Sequence, residues 1–311
     1  MSKLKRHRAR GSVRAAAKAT VGKSQAPSVL QADSYRFAFR EGVRRLYKFR
    51  GYVGEARNWV RDTIERSTIY FSSPPQLNDP FDMQPFHQIS GDPRANATLQ
   101  QIKRDSRRLM KERKIPLERQ IRELKALDGA DLAAMARVAT ERTRATLDTA
   151  YGVYSLAADG SHPLLWSHYA DSHRGVCLQF RTDSDDSPFG LARRVIYQKA
   201  RPAIPVPLEA QHHDQVADLV GLTKADWWSY EKEYRLFLAH GEPPPAIKLV
   251  GGGRVGSFDA RHLIGITLGL RIADGDREEL TAMARAHKPP LEVHQACEDE
   301  KEFSLRIDRI E

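Results

Sequence analysis

Cysteine is nearly missing from this chain: Cys177 and Cys297 are the two among 311 residues. Two thiols exclude a disulfide framework, and they fall short of a structural zinc site, which takes about four closely spaced ligands. Long apolar runs are missing as well. Without a stretch of about 18 apolar residues, nothing reads as a membrane-spanning helix, and the start lacks the apolar region of a secretory signal. A cytoplasmic setting and no membrane partner are therefore expected. Acid is missing from one region. No Asp or Glu precedes Asp33, whereas Lys3, Lys5, Arg6, Arg8, Arg10, Arg14, Lys18 and Lys23 give residues 1–32 a charge of +8.

What is present is the balance of a globular protein, 41% hydrophobic and 29% charged. The net charge of +10 is unevenly spread. Residues 94–145 hold 14 Lys+Arg against 7 Asp+Glu, and with the tail they leave −5 on the remainder. The chain thus reads as a mildly acidic body with two basic appendages. The tail 1–32 has no helical stripe and is expected to be disordered. It is either a solvated segment or an arm for nucleic acid, since each Lys or Arg that neutralises a phosphate adds affinity without sequence choice. Its acid-free, Arg- and Ala-containing composition also resembles a transit peptide.

From about residue 33 to 311 a single α+β domain is expected, a mixed sheet of short strands with a helical hairpin inserted at about 92–150. RLYKFR (Arg45 to Arg50) reads as a strand, and EARNWVRDTIERS (Glu55 to Ser67) places Trp59, Val60 and Ile64 at helical spacing. The insertion is helical by composition, with Pro116 and Gly129 as breaks and Leu117, Ile121, Leu124 and Leu127 as an apolar stripe. After Tyr151 strands dominate, notably RGVCLQF, EKEYRLFL and LIGITL. Asp274 is expected to cap a helix that runs to about Ala286.

Three clusters mix polar residues with aromatics, where an unpaired buried polar group is costly: Asn78-Asp79-Pro80-Phe81-Asp82, Leu165 to Gly175 around Trp166-Ser167-His168-Tyr169-Ala170, and Trp228 to Arg235 around Glu231-Lys232-Glu233-Tyr234-Arg235. With Tyr47-Lys48-Phe49, their identity and order resemble an uncharacterised bacterial family, domain of unknown function 2971. Its pattern is a Tyr-Lys-Tyr or Tyr-His-Tyr strand, Asn-Asp-Pro-Phe-Asp, Trp-x-x-Tyr-Ala followed by Arg-Gly-Val, and Glu-x-Glu-Trp-Arg. The resemblance covers roughly Tyr47 to Ile272, with Phe49 in place of Tyr and Tyr234 in place of Trp.

A basic residue on a first strand, an aromatic hydroxyl on a second and a Glu on a third also resemble ADP-ribosyltransferase-like domains, although Lys48 stands where those carry His or Arg. That resemblance implies NAD as substrate. Lys48 would hold a ribose or phosphate oxygen and Tyr169 would stack on the nicotinamide. Glu231 or Glu233 would stabilise the positive charge that develops as nicotinamide leaves, a gain made chiefly in the transition state. Asn78, Asp82, Trp166, His168, Arg174 and Arg235 complete the expected binding set. Plain structural readings stand beside these. Asn78 and Asp82 are equally suited to staple a turn, Trp166 and Tyr169 to fill core, and the alternating Glu231, Glu233 and Arg235 to form a ladder on one strand face.

No metal is expected. His162, His168 and His173 share no helix face, and His212-His213-Asp214 reads as a loop. Gly251 to Gly256 lacks the Gly-Lys-Ser/Thr ending of a phosphate loop. Two functions follow. One is a nucleotide-acting enzyme, most concretely an ADP-ribosyltransferase or NAD glycohydrolase, in bacterial defence. The other is a non-enzymatic nucleic-acid-binding module that uses residues 1–32 and 94–145. The enzyme reading requires Lys48, Asn78, Tyr169 and Glu233 to converge on one pocket.

Overall fold

The computed structural model describes residues 36–88, 94–126, 132–184, 186–205 and 213–311. The tail 1–32, Leu127, Gly129 and His212 lie outside them. The chain begins with β1 (Arg45–Arg50), α1 (Glu55–Arg66), β2 (Thr68–Tyr70) and β3 (Phe86–Gln88). Three helices follow, α2 (Arg94–Glu112), α3 (Leu117–Ala126) and α4 (Leu132–Ala150), then β4 (Tyr151–Ala157), α5 (Pro163–Tyr169) and β5 (Val176–Arg181). Next come β6 (Arg193–Arg194), β7 (Ile196–Gln198), β8 (Ala203–Pro205), α6 (His213–Gly221) and β9 (Thr223–Ala225). A 3₁₀ turn (Asp226–Glu231) leads into β10 (Glu233–Ala239). The chain closes with β11 (Lys248–Val250), β12 (Val255–Ser257), β13 (Leu263–Leu268), α7 (Asp274–Ala286), β14 (Glu292–Glu298) and β15 (Leu305–Arg309). Asp274 does not cap α7: Ala273 holds the cap position, and Asp274 lies in the first turn, where its charge favours the helix N-terminus.

The fold is α+β. Eight strands form one mixed sheet in the order β15-β14-β13-β5-β1-β4-β10-β6, antiparallel except for the parallel pair β13–β14. The alternation legible in β5 sets its two faces: Val176, Leu178 and Phe180 join one core cluster and Cys177 another. On the first face Val60 and Ile64 of α1 and Leu280 and Ala284 of α7 pack onto Leu46, Leu156 and Leu236. The second face is covered by Leu147 of α4, Val216 and Val220 of α6, and Leu165 and Trp166 of α5. Helix α4 is thus part of the body. Along α3 the expected stripe stays largely in solvent, with Leu117 and Ile121 exposed. Among the described residues no helix is long and apolar enough to cross a membrane.

The centre of the sheet is where the site originates. β1 pairs with β5 along its whole length, from Arg45↔Arg181 to Arg50↔Val176, but meets β4 at Tyr47↔Ala157 alone. Beyond that pair the two halves of the sheet part. Ser72 bridges Val153 in the gap, which carries the following residues, Gln76 to Asn78, into the opening.

The end of β1 is clamped from below by the turn after α5. Asp171, Ser172 and His173 all take left-handed backbone (φ 46°, 51° and 70°), a cost met by backbone bonds from Ser172 N to Ser167 O and His173 N to Trp166 O. The turn delivers Gly175 against β1 so closely that a Cβ there would lie 2.1 Å from the Arg50 carbonyl oxygen. Gly175→Ala is therefore expected to lower stability by at least about 1–3 kcal/mol, as overpacking against a backbone that cannot yield does. Thermal unfolding of the variant checks this, and a native melting temperature would refute the close packing.

Candidate functional site

A cavity of about 220 Å3 opens where the sheet parts. Its walls come from β1 (Tyr47 to Arg50), the Gln76-to-Asn78 segment, β4, the end of α5, and the chain around β9 and β10. Lys48, Asn78, Tyr169 and Glu233, distant in sequence, all line it, together with Asp82, Lys224 and Glu231.

The floor is a network of buried charge. Arg235 is fully buried and uses all five of its guanidinium N–H groups. Nη1 donates to Asp82 Oδ1 (2.9 Å) and to the Gly221 carbonyl (2.8 Å), Nη2 to Asp82 Oδ2 (2.5 Å) and Glu233 Oε2 (2.9 Å), and Nε to Glu233 Oε1 (2.8 Å). Lys224 joins the carboxylates: its Nζ donates to Glu231 Oε2 at 2.6 Å and Glu233 Oε2 at 3.1 Å, with Asp82 at 3.8 Å. Burial opposes the Lys224 charge, yet Glu233, Glu231 and Asp82 outweigh it and raise its pKa.

The two glutamates are not equivalent. Glu231 does not lie on the strand as its spacing from Glu233 suggests. It ends the 3₁₀ turn, and Lys232 then takes left-handed backbone (φ 45°) before β10 begins. Burial would raise the Glu233 carboxyl, but Arg235 and Lys224 hold it well below the usual carboxylate range. It is ionised and spent on its partners, and its backbone N–H donates to the Tyr197 hydroxyl at 2.8 Å. Glu231 is held by fewer groups. Burial and the neighbouring Glu233 charge raise its carboxyl, so it is the more readily protonated of the pair.

Tyr169 links this floor to the cavity wall. Its hydroxyl donates to Glu231 Oε1 at 2.6 Å and accepts from Asn78 Nδ2 at 2.9 Å. Burial and the Glu231 charge push its pKa far above the ordinary phenol range, so the phenol stays a donor. The Asn78-to-Asp82 segment divides its labour. Asp79 Oδ1 staples the turn by accepting from Phe81 N at 2.9 Å, Asn78 positions Tyr169, and Asp82 grips Arg235.

On the β1 side, Lys48 Nζ donates to the Ser155 carbonyl at 2.7 Å across the gap between the strands. Burial, then the nearby Arg50, lowers its pKa well below the ordinary lysine value. Arg50 also lines the cavity, and its guanidinium makes neither a hydrogen bond nor an ion pair with any described residue; burial lowers its pKa too.

Four expected binding residues do not line the cavity: Arg235 is buried beneath it with every guanidinium N–H engaged, so it supports the floor and has no donor left for a ligand, and three lie elsewhere. Trp166 is core: its ring meets Phe49 edge-on at 5.2 Å, and its Nε1 donates to the Gly160 carbonyl. His168 points outward between the rings of Tyr169 and Trp228. Arg174 is exposed and paired with Asp171, because the left-handed turn swings it away from the cavity. Conversely, Lys224, Arg50 and Tyr197 carry no local motif in the sequence, yet Lys224 and Arg50 line the cavity and the Tyr197 hydroxyl accepts from Glu233 N. Cys177 is buried in the sheet, and burial raises its thiol well above the ordinary value. Among the described residues no group of three or more His, Cys, Asp or Glu could hold a metal.

Residues 165–236 match the model of a family described as protein of unknown function (DUF2971). The match runs from α5 through β10 and so contains Tyr169, Lys224, Glu231, Glu233 and Arg235, while Lys48, Arg50 and the Asn78-to-Asp82 segment lie outside it. No curated protein and no solved structure matches the chain.

Proposed function

We propose that this cavity is the active site of a nucleotide-acting enzyme, most concretely one that cleaves NAD at its nicotinamide glycosidic bond. The observation that carries the reading is the pairing of opposite chemistries in one small space. Lys48 and the Arg50 guanidinium, which has no partner among the described residues, suit the anionic phosphates, and the Glu231 carboxylate with its Tyr169 hydroxyl suits a ribosyl carbon that becomes positive. In this scheme the C1′–N bond breaks and its electron pair leaves with nicotinamide. A lone pair of water, or of an acceptor hydroxyl, forms the new C1′–O bond, and that nucleophile loses its proton to solvent. Glu231 lowers the barrier because the positive charge moves from the nicotinamide ring onto the ribosyl carbon in the transition state, where the carboxylate meets it more strongly than in the ground state. The resemblance to ADP-ribosyltransferase-like domains supports the same scheme.

The test is incubation of the full chain with NAD and measurement of free nicotinamide. Turnover above background is expected, with Arg50→Met raising KM about 10-fold or more for the loss of a charge-assisted phosphate contact. No nicotinamide above background would sink the enzyme reading.

A second reading, nucleic-acid binding through the basic appendages, is favoured by one feature. Arg107, Arg108, Lys111, Arg113 and Lys114, on α2 and just after it, are all exposed. Contacts of that kind hold phosphates and ignore bases. Residues 1–32 would act in the same way.

A further inference from the structure

A second cleft, of about 210 Å3, adjoins the first at Lys224, which lines both. Two large aromatics stand on it in solvent: Phe81 is 60% exposed and Trp227 63% exposed. Neither is loose. Phe81 sits between Asn78, bonded to Tyr169, and Asp82, bonded to Arg235, in a turn stapled by Asp79. Trp227 belongs to the 3₁₀ turn whose last residue, Glu231, is fixed by Lys224 and Tyr169. Rigid backbones that hold aromatic rings out in water forgo burial that a small shift would otherwise gain, and they present a preformed stacking surface.

The remaining lining says what stacks there. Lys199, Arg201 and Lys224 contribute three cations, and no Asp or Glu is among the described residues that line the cleft. Lys199 has no hydrogen-bond or ionic partner among the described residues. Arg201 is anchored by Nη2 to the Gln84 carbonyl (2.9 Å) and makes no ion pair with any described residue. The Gln84 and Gln198 amide nitrogens donate internally, to the Asp82 and Ala200 carbonyls. The cleft is smaller than the roughly 300–1,000 Å3 of drug-sized pockets, too small for a helix or a sheet edge. Aromatic faces flanked by unpaired cations are the combination that binds bases together with their phosphates.

We propose that this cleft holds a nucleobase of a single-stranded nucleic acid, stacked on Trp227 and Phe81, with adjoining phosphates on Lys199 and Arg201. This is independent of NAD cleavage and differs from binding through the basic helix, because the cleft reads the presence of a base.

The experiment measures binding of the full chain to a labelled single-stranded oligonucleotide and to an abasic strand of equal length and charge. The native protein is expected to prefer the base-bearing strand. Trp227→Ala and Phe81→Ala should each weaken that strand about 5- to 150-fold, the range for loss of one stacked base, and leave the abasic strand unaffected. Trp227→Phe, which keeps a ring, should retain most of the affinity. Both alanine variants should melt as the native protein does, since neither ring is buried. Equal affinity for the two strands, or native binding by Trp227→Ala, would overturn the proposal. Competition by AMP at the concentration of strand needed would assign the base site to a free nucleotide instead of a strand.

Discussion

Glu231→Gln is expected to reduce nicotinamide release by about 10²- to 10³-fold, the effect of removing one group that stabilises transition-state charge. Its melting temperature should stay within about 2 °C of the native value, the shift expected for a few tenths of a kcal/mol in a chain of this size. The two halves of this prediction have one cause. The amide keeps the shape of the carboxyl and still accepts from Tyr169, but it offers no negative charge to a cationic ribosyl group. Folding loses little, because burial and Glu233 already disfavour the Glu231 charge. The sign is fixed by linkage. A carboxyl whose folded pKa is raised favours folding below its ordinary value of 4.5, and that contribution fades as pH rises through the raised pKa. At neutral pH the native charge is therefore a burden that the amide relieves. Native-like turnover by Glu231→Gln, with NAD cleavage established for the parent, would move the role to another group.

Arg235→Leu should produce the opposite pattern, a loss of about 3–5 kcal/mol in unfolding free energy at pH 7, because it leaves buried carboxylates without their partner. Asp82 and Glu233 would keep only Lys224 between them, and Glu231 also draws on that ammonium. The deficit should narrow on acidification. In the native protein Arg235 helps hold the Glu233 carboxyl low, so Glu233 adds stability above the ordinary 4.5 and loses it as pH falls below. In the variant that depression is gone, and protonation then relieves a buried charge. Urea unfolding of both proteins at pH 7 and pH 4 measures the difference. A loss under about 1 kcal/mol, or one independent of pH, would contradict the role given to Arg235.

The two predictions separate functions that adjacent motif residues would otherwise share. Glu233 and Arg235 hold the floor of the cavity, and in the proposed scheme Glu231 is the carboxylate that would meet the ribosyl group. Any variant of Glu233 is expected to mix both effects, so Glu231 and Arg235 are the informative pair.

Much of this was legible from residue order. Alternation in RGVCLQF located a strand buried on both faces, and the mixture of acids and aromatics around Asn78, Tyr169 and Glu233 marked segments that meet at one cavity. Neighbourhood in the chain misled where a turn intervened. The spacing of Glu231 from Glu233 implies one strand face only if both lie on the strand, and the left-handed Lys232 breaks that premise. Trp166, His168 and Arg174 share a motif with Tyr169 yet point into the core, into solvent and toward Asp171, because a helix and three left-handed residues fan their side chains apart.

Lys224 and Arg50 had no local signal. A lysine before Ala-Asp-Trp-Trp and an arginine ending a strand look like ordinary solvated charges. Composition and periodicity by themselves determined that this chain makes an α+β fold and that its basic charge is concentrated in residues 1–32 and 94–145, because burial patterns and charge counts are local properties. Only the tertiary structure decided that β1 and β4 part beyond Tyr47, that Lys48 and Arg50 face the opening, and that one lysine binds two glutamates. Those facts depend on strand pairing and desolvation, and both exist only once distant segments are packed together.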